Sequence, residues 1–346
     1  MKEVEPKTVK SRAPVRVSFS GGGTDVPPFS EEHGGCVLST TINKYIAAEI
    51  SSSQDPKNNE IVFPDLGLEA KLPYGERYLY SAENASEDPK LDIVKASLNV
   101  FRPDKPVRVF LHGDAPSGSG MGTSSASNVA LVTAFRELKG TSLDKQEIAE
   151  EAIRIERGLL QIPGGFQDQY ASAFGGFNFI EFLPNEKRIV HPLDLSDDTK
   201  SKLHASLGLF YLGGVHSERT QQKELISAMK TNLDALEALK LLKKQTIEMK
   251  TALENGDLET FGKLLHAGWE LKKRSSSAVS NPVIDAFYES ALNAGTLGGK
   301  LLGSGGSGYL LLFTPIGKRS FVERKLVQEG AEELAFNFDE EGAVIT

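Results

Sequence analysis

The chain's 33 glycines do not spread evenly through its loops. They gather at residues 21–23, 113–122 and 298–308, and each cluster adjoins an apolar segment. Glycine reaches left-handed backbone most freely and lets a second backbone or a ligand come to contact distance. Three such clusters imply three places where the chain turns tightly or is approached closely. Hydrophobic period identifies the elements beside them. Val15, Val17 and Phe19 alternate ahead of the first cluster, and Val107, Val109 and Leu111 ahead of the second; residues 37–50 are also β-rich. Residues 124–138 read as a helix closed by Gly140. A second helix is expected from about Ser142 to Leu159, with Ile148, Ala152, Ile155 and Leu159 on one face. Residues 164–176 read as irregular, and 177–182 resume as a strand. Further on, Leu225, Met229, Leu233 and Leu236 form one stripe and Phe261, Leu265 and Trp269 another. Asn281 and Pro282 open a helix that ends before Gly295, residues 309–313 read as a buried strand, and 319–329 as a helix. Strands and helices mix in both halves, so the fold class is α+β, with a domain boundary near residues 183–205.

Composition narrows the function. The 346 residues hold 39 Lys plus Arg against 47 Asp plus Glu, and 39 − 47 gives a formal charge of −8. That balance argues against nucleic-acid or anionic-membrane binding, but leaves room for one basic pocket. The single cysteine, Cys36, cannot form an internal disulfide, the charged start at residues 1–12 lacks a signal peptide's apolar core, and no apolar run nears the roughly 18 residues of a membrane helix. A cytoplasmic protein is expected. The histidines never recur at helical ligand spacing, so a His-based zinc site is not expected.

Each motif has a plain reading beside its chemical one. Gly303, Gly305 and Gly308 match the spacing of a dinucleotide fingerprint but lead into a strand instead of a helix, so that reading fails and a simple turn competes. In residues 116–126, glycines and hydroxyls run straight into a helix, whose unpaired N–H groups suit phosphate. The competing view is a glycine-rich loop with a serine N-cap. No lysine stands where a P-loop needs one, and no Gly-x-Ser-x-Gly elbow occurs. Glu156 lies beside an apolar helical stripe, at the core's edge or aimed into a site; near phosphate, such a carboxylate can hold Mg²⁺. Asp168 sits in the irregular stretch, a solvated turn residue or an aligner of an acceptor hydroxyl. Arg16 lies inside an apolar strand, where an unpaired charge is costly, so it needs a partner, and Asp168 is the candidate. Asp25 either takes polyol hydroxyls or caps a helix.

In this order, the three clusters resemble the motifs of the GHMP kinases along essentially the whole chain. Residues 13–25 look like motif one, 116–126 like the phosphate loop of motif two, and 300–308 like motif three. The Gly-Gly-Gly-Thr-Asp of motif one, the Gly-Met-Gly-Thr-Ser-Ser-Ala of motif two, residues 164–170 and residues 269–274 are similar to the family's heptose 7-phosphate kinase branch. The resemblance implies an N-terminal β-α, ATP-binding domain (residues 1–190), a ferredoxin-like C-terminal domain (residues 191–346), and an active site in the cleft between them. It implies ATP and Mg²⁺ as cofactors. Asp168 and Arg16 would be catalytic, and Ser124 and Glu156 would be the metal ligands, with Thr123 an alternative to Ser124. The ATP phosphates would lie along Pro116, Gly118, Ser119, Gly120, Met121, Gly122, Thr123, Ser124 and Ser125. The sugar would meet Gly22, Gly23, Thr24, Asp25 and Gln167, with Gly305 and Gly306 shaping the cleft. Met121 replaces a commoner leucine, and Ser304 and Ser307 stand where alanine and glycine are more usual; a positive φ at Ser307 would carry strain.

The implied reaction is phosphorylation of a sugar's anomeric hydroxyl, with a 7-phosphorylated heptose as substrate. The alternatives are an unphosphorylated sugar resembling fucose or galactose, and a non-catalytic sugar or ATP sensor. A phosphosugar needs a cationic pocket, for which Lys272, Lys273 and Arg274 are the candidate; as a solvated helix end they would do nothing. The partner is a small sugar or sugar phosphate, and a homodimer is left open.

Overall fold

The computed structural model describes residues 8–84, 86–116, 118–141, 144–214 and 218–346. Ser142, the expected start of the second helix, and Ser117 of the phosphate loop lie outside them. The chain runs β1 (Val9–Ser20), α1 (Phe29–His33), β2 (Gly35–Ser52), β3 (Asn58–Phe63), β4 (Leu68–Pro73), α2 (Asp92–Phe101), β5 (Val107–Gly113), α3 (Thr123–Leu138), α4 (Lys145–Ile153), α5 (Gln167–Phe174), β6 (Phe177–Phe182) and β7 (Arg188–Pro192). It continues with α6 (Asp197–Ser206), β8 (Leu207–Tyr211), α7 (Glu218–Thr231), α8 (Leu233–Glu254), α9 (Leu258–Ser275), α10 (Pro282–Asn293), β9 (Gly298–Leu301), β10 (Tyr309–Phe313), α11 (Ile316–Gln328), β11 (Glu332–Glu333), β12 (Phe338–Asp339) and β13 (Val344–Ile345).

Two sheets organise these elements. Long β2 is the spine of the first. It pairs with β1 along one edge, and its other edge is shared by β6, β12 and β5. The second sheet has the order β11-β8-β10-β9, all antiparallel, which is the 4-1-3-2 order of a ferredoxin-like layer. The last strands, β12 and β13, return to the first sheet, and residue 190 falls inside β7. One apolar cluster runs from Val17, Phe19 and Ile42 through Met249, Leu253, Phe261 and Leu265 to Leu209 and Leu311. That shared core fixes the two sheets against each other. No helix is long and apolar enough to cross a membrane among the described residues.

Three departures from the expected elements matter. The second helix starts at Lys145, capped by a reciprocal Asp144–Glu147 box, and changes at Arg154 into a π turn that ends at Leu159. The wider turn breaks the apolar stripe, so Leu159 is 37% exposed while Glu156 turns inside. The stretch expected to be irregular contains α5, with Asp168 in its first turn. The stripe through Leu233 is two helices, because Asn232 caps α8 by accepting from Asp234 N and Ala235 N; Leu233 is 81% exposed.

Candidate active site

A cleft of about 1080 Å³ opens where the glycine clusters meet. Its lining divides. One part is apolar, with Phe63, Leu66, Ile93 and Leu111; the other is polar, with Arg16, Ser18, Asp25, Gln167, Lys272 and Lys300.

Motifs two and three interlock backbone to backbone. A Cβ on Gly120 would lie 2.7 Å from Leu302 O, one on Gly303 2.6 Å from Gly120 Cα, and one on Gly308 2.6 Å from Ser119 O. Tyr309 N donates to Ser119 O, closing the seam. Only glycine fits there. Ser119, Gly120 and Met121 thus lie behind the cleft, with Met121 in the core, and Gly118 lies outside its lining, whereas Pro116, Gly122, Thr123, Ser124 and Ser125 face it. Gly122 is the N-cap of α3, at φ 73°, and no side chain caps that helix. The serine-cap reading therefore fails. The N–H groups of the first turn stay open, beside a partial positive charge.

Arg16 projects from β1 and is 4% exposed. Its Nε donates to Asp168 Oδ1 at 2.8 Å and its Nη2 to Oδ2 at 3.1 Å, the pairing expected from sequence. Its Nη1 donates to Gly120 O, and its backbone N to Met121 O at 3.0 Å, so the same residue pins the phosphate loop. A Cβ on Gly122 would sit 3.1 Å from Asp168 Oδ2, which places this carboxylate directly beside the start of α3.

Glu156 is 1% exposed yet lines the cleft. Its Oε2 accepts from Ser125 Oγ at 2.9 Å and from Gln169 Nε2, and Oε1 takes no hydrogen bond from the described residues. Burial above all pushes its carboxyl upward. The serine that touches Glu156 is Ser125, while Ser124 stands exposed at the cleft, because one helical residue turns the side chain by about 100°.

Asp25 is fully buried and serves as a remote cap for α5. It accepts from Phe166 N, Gln167 N, Gln167 Nε2 and Gly23 N. Burial raises its carboxyl first, and nearby Asp168 raises it further. Gly22, Gly23 and Gln167 line the same polar region, and Ser18 Oγ and Gln167 Oε1 are buried there without partners among the described residues. Thr24 does not face the cleft: its hydroxyl donates to Gly21 O and Cys36 O and accepts from Cys36 N, tying motif one to β2. Gly305 and Gly306 also turn away, packing on Val279, while Gly303 and Ser304 take the lining positions. Ser307 has no positive φ; among described non-glycine residues only Arg102, Gln161 and Glu186 do. The condition for strain at that serine is not met.

Of the three basic residues at the end of α9, Lys273 pairs with Glu270 and Arg274 with Asp234 at the surface, while Lys272 is buried in the cleft wall. Lys300, Ser18 and Arg157 line the cleft without having been singled out in the sequence. Lys300 was within reach of the reasoning applied to Arg16, since it is a lone cation in a buried strand.

This arrangement combines an open helix start, an Arg-paired aspartate and a buried glutamate in one crevice. The family models for the GHMP kinases N terminal domain and the GHMP kinases C terminal match residues 91–176 and 249–332. The D-glycero-alpha-D-manno-heptose 7-phosphate kinase of Campylobacter jejuni is 35% identical over 97% of this chain and 98% of its own length. The chain is a GHMP kinase. A solved D-glycero-D-manno-heptose 1-phosphate kinase of Bacteroides thetaiotaomicron superposes with a TM-score of 0.80, at 30% identity and 98% coverage of both chains. The L-fucokinase/L-fucose-1-P guanylyltransferase of Bacteroides fragilis is 27% identical over 93% of the chain, which spans 36% of that longer protein. Membership makes this GHMP kinase a sugar kinase, a phosphotransferase that uses ATP.

Proposed function

We propose that this GHMP kinase transfers the γ-phosphoryl group of ATP to the anomeric hydroxyl of D-glycero-D-manno-heptose 7-phosphate, giving the 1,7-bisphosphate. The observation that carries the reaction is the Arg16–Asp168 pair set beside the open start of α3. The full-length similarity to the Campylobacter jejuni heptose 7-phosphate kinase supports the substrate. The Bacteroides thetaiotaomicron relative is named a heptose 1-phosphate kinase instead, so the position of the new phosphate is what an experiment must read.

Phosphoryl transfer needs alignment and charge neutralisation more than covalent help. In this reading the first-turn N–H groups of α3 hold the nucleotide's phosphates. Glu156 Oε1, free of hydrogen bonds among the described residues, and the exposed Ser124 hydroxyl are hard oxygen donors that fit Mg²⁺. A metal ion held there would supply charge neutralisation for the nucleotide's phosphates. Ser125 and Gln169 keep Glu156 aimed. Asp168 aligns the acceptor hydroxyl and takes its proton as the new O–P bond forms, and Arg16 holds that carboxylate in place and faces the charge that builds up. Asp25 fixes the start of α5, and so the height of Asp168 in the cleft.

The test is a panel of sugars and sugar phosphates with Mg-ATP, followed by ADP release and by NMR of the product. Turnover of heptose 7-phosphate with a new phosphate at the anomeric carbon is expected. Phosphorylation of unphosphorylated sugars alone would favour the second reading, a fucose- or galactose-like substrate, which the Bacteroides fragilis relative supports. No ATP turnover with any sugar would favour a sensor.

A further inference from the structure

We propose that Lys272 and Lys300 form a seat for a phosphate monoester carried by the acceptor, on the wall of the cleft built by α9 and β9. The inference rests on the kinase reading above and gives its acceptor site a chemistry.

Both lysines line the cleft, at 7% and 5% exposure. Lys272 Nζ donates to Gly303 O at 2.6 Å and Leu301 O at 3.3 Å, so motif three holds it in place with no carboxylate. Among the described residues, Lys300 Nζ has no hydrogen bond and no ion pair. The carboxylates near it are taken: Asp168 by Arg16, and Asp25 by the backbone and side chain around Gln167. In this desolvated place an ammonium on Lys300 would have no free carboxylate beside it. Water cannot offset such a charge there, and a protein without a ligand gains nothing from keeping it.

Two ammonium groups on one wall match a dianion. The nucleotide's phosphates already have their own donors at the start of α3, which leaves the acceptor as the source. The neighbouring groups suit a sugar: Ser18 Oγ and Gln167 Oε1 are buried without partners among the described residues, and both line the cleft beside Gly22. Burial and the Arg16 charge bring Lys272 down to about 7, and burial, Lys272 and Arg16 bring Lys300 well down, with Asp25 opposing in each case. A phosphate at this wall would return both to the ammonium form. Lys273 and Arg274 are excluded, since both already have surface carboxylates.

The experiment compares the wild type with Lys300→Met and Lys272→Met, using heptose 7-phosphate, Mg-ATP and inorganic phosphate. The expected result for Lys300→Met is a KM for the sugar phosphate raised about 10- to 100-fold, the loss of one charge-assisted contact, with the KM for ATP within twofold. Its Tm without ligand should rise, because a buried amine with no partner among the described residues is gone; a merely structural lysine would show the opposite. Inorganic phosphate should raise the Tm of the wild type and not that of the variant. An unchanged KM for the sugar phosphate, or an equal rise for ATP, overturns the seat while leaving the kinase reading intact. If the wild type turns over only unphosphorylated sugars, the substrate reading fails. The phosphate-dependent Tm then decides the seat alone: a rise lost in Lys300→Met upholds it, and no rise overturns it.

Discussion

Arg16 on β1 and Lys300 on β9 look alike in the sequence, each a strand cation whose immediate neighbours are apolar or glycine. Both are almost completely buried, and both face the same cleft from opposite sheets. Their surroundings differ. Arg16 is held by two carboxylate contacts and a loop carbonyl, whereas Lys300 meets no partner among the described residues. A charge answered by the protein is fixed in position, which is what a reacting centre needs. A charge left unanswered is available to something that arrives from solution.

That contrast can be broken or sharpened experimentally. The largest effect is expected at the answered end: Asp168→Asn should lower kcat by about 10²- to 10⁴-fold while ATP binding, followed by calorimetry, is retained. Near-native turnover would remove Asp168 from the proton transfer. Next, Arg16→Met should reduce stability by about 3 kcal/mol in urea denaturation, since it strands Asp168 and releases the Gly120 carbonyl. Lys300→Met should move stability the other way, and the same sign for both would erase the distinction. At Lys272 the effect is a slope with pH. Its ammonium, pushed by burial and Arg16 to about 7 from an ordinary 10.5, carries a penalty that is complete below pH 7 and fades as pH rises toward 10.5. Over that window the unfolded chain holds a proton the native one lacks, so stability should climb with pH, by at most about 1.4 kcal/mol per unit. Lys272→Met should flatten this slope relative to the wild type. Smallest of all, Lys273→Gln should change stability by less than about 0.5 kcal/mol, because its contact with Glu270 is at the surface.

How much of this was legible follows from where each signal lay. Arg16 could be read because a charge inside a period-two apolar strand demands a partner, and the partner named for it is the one found. Helix α5 could not be read, because its eight residues are too few for a period and its cap, Asp25, lies far away in the chain. The π turn at Arg154–Leu159 was hidden for a related reason: nothing local marks the extra residue that brings Glu156 inward. Glycine clustering located all three loops, but the sugar-site roles rested on the family resemblance, which does not fix the way a residue faces; Thr24, Gly305 and Gly306 turn from the cleft. The same reasoning applies unchanged to Lys300, a buried strand cation at the head of the third glycine motif.

The seam between Gly120 and Gly303 has a practical consequence for anyone wishing to redesign this enzyme. With no side chain between them, neither Gly120 nor Gly303 can be replaced without pushing the facing loop aside. Altering the preferred sugar must therefore proceed through the side walls, at positions such as Ser18, Gln167 and Lys300, while the glycine joint is left as it is.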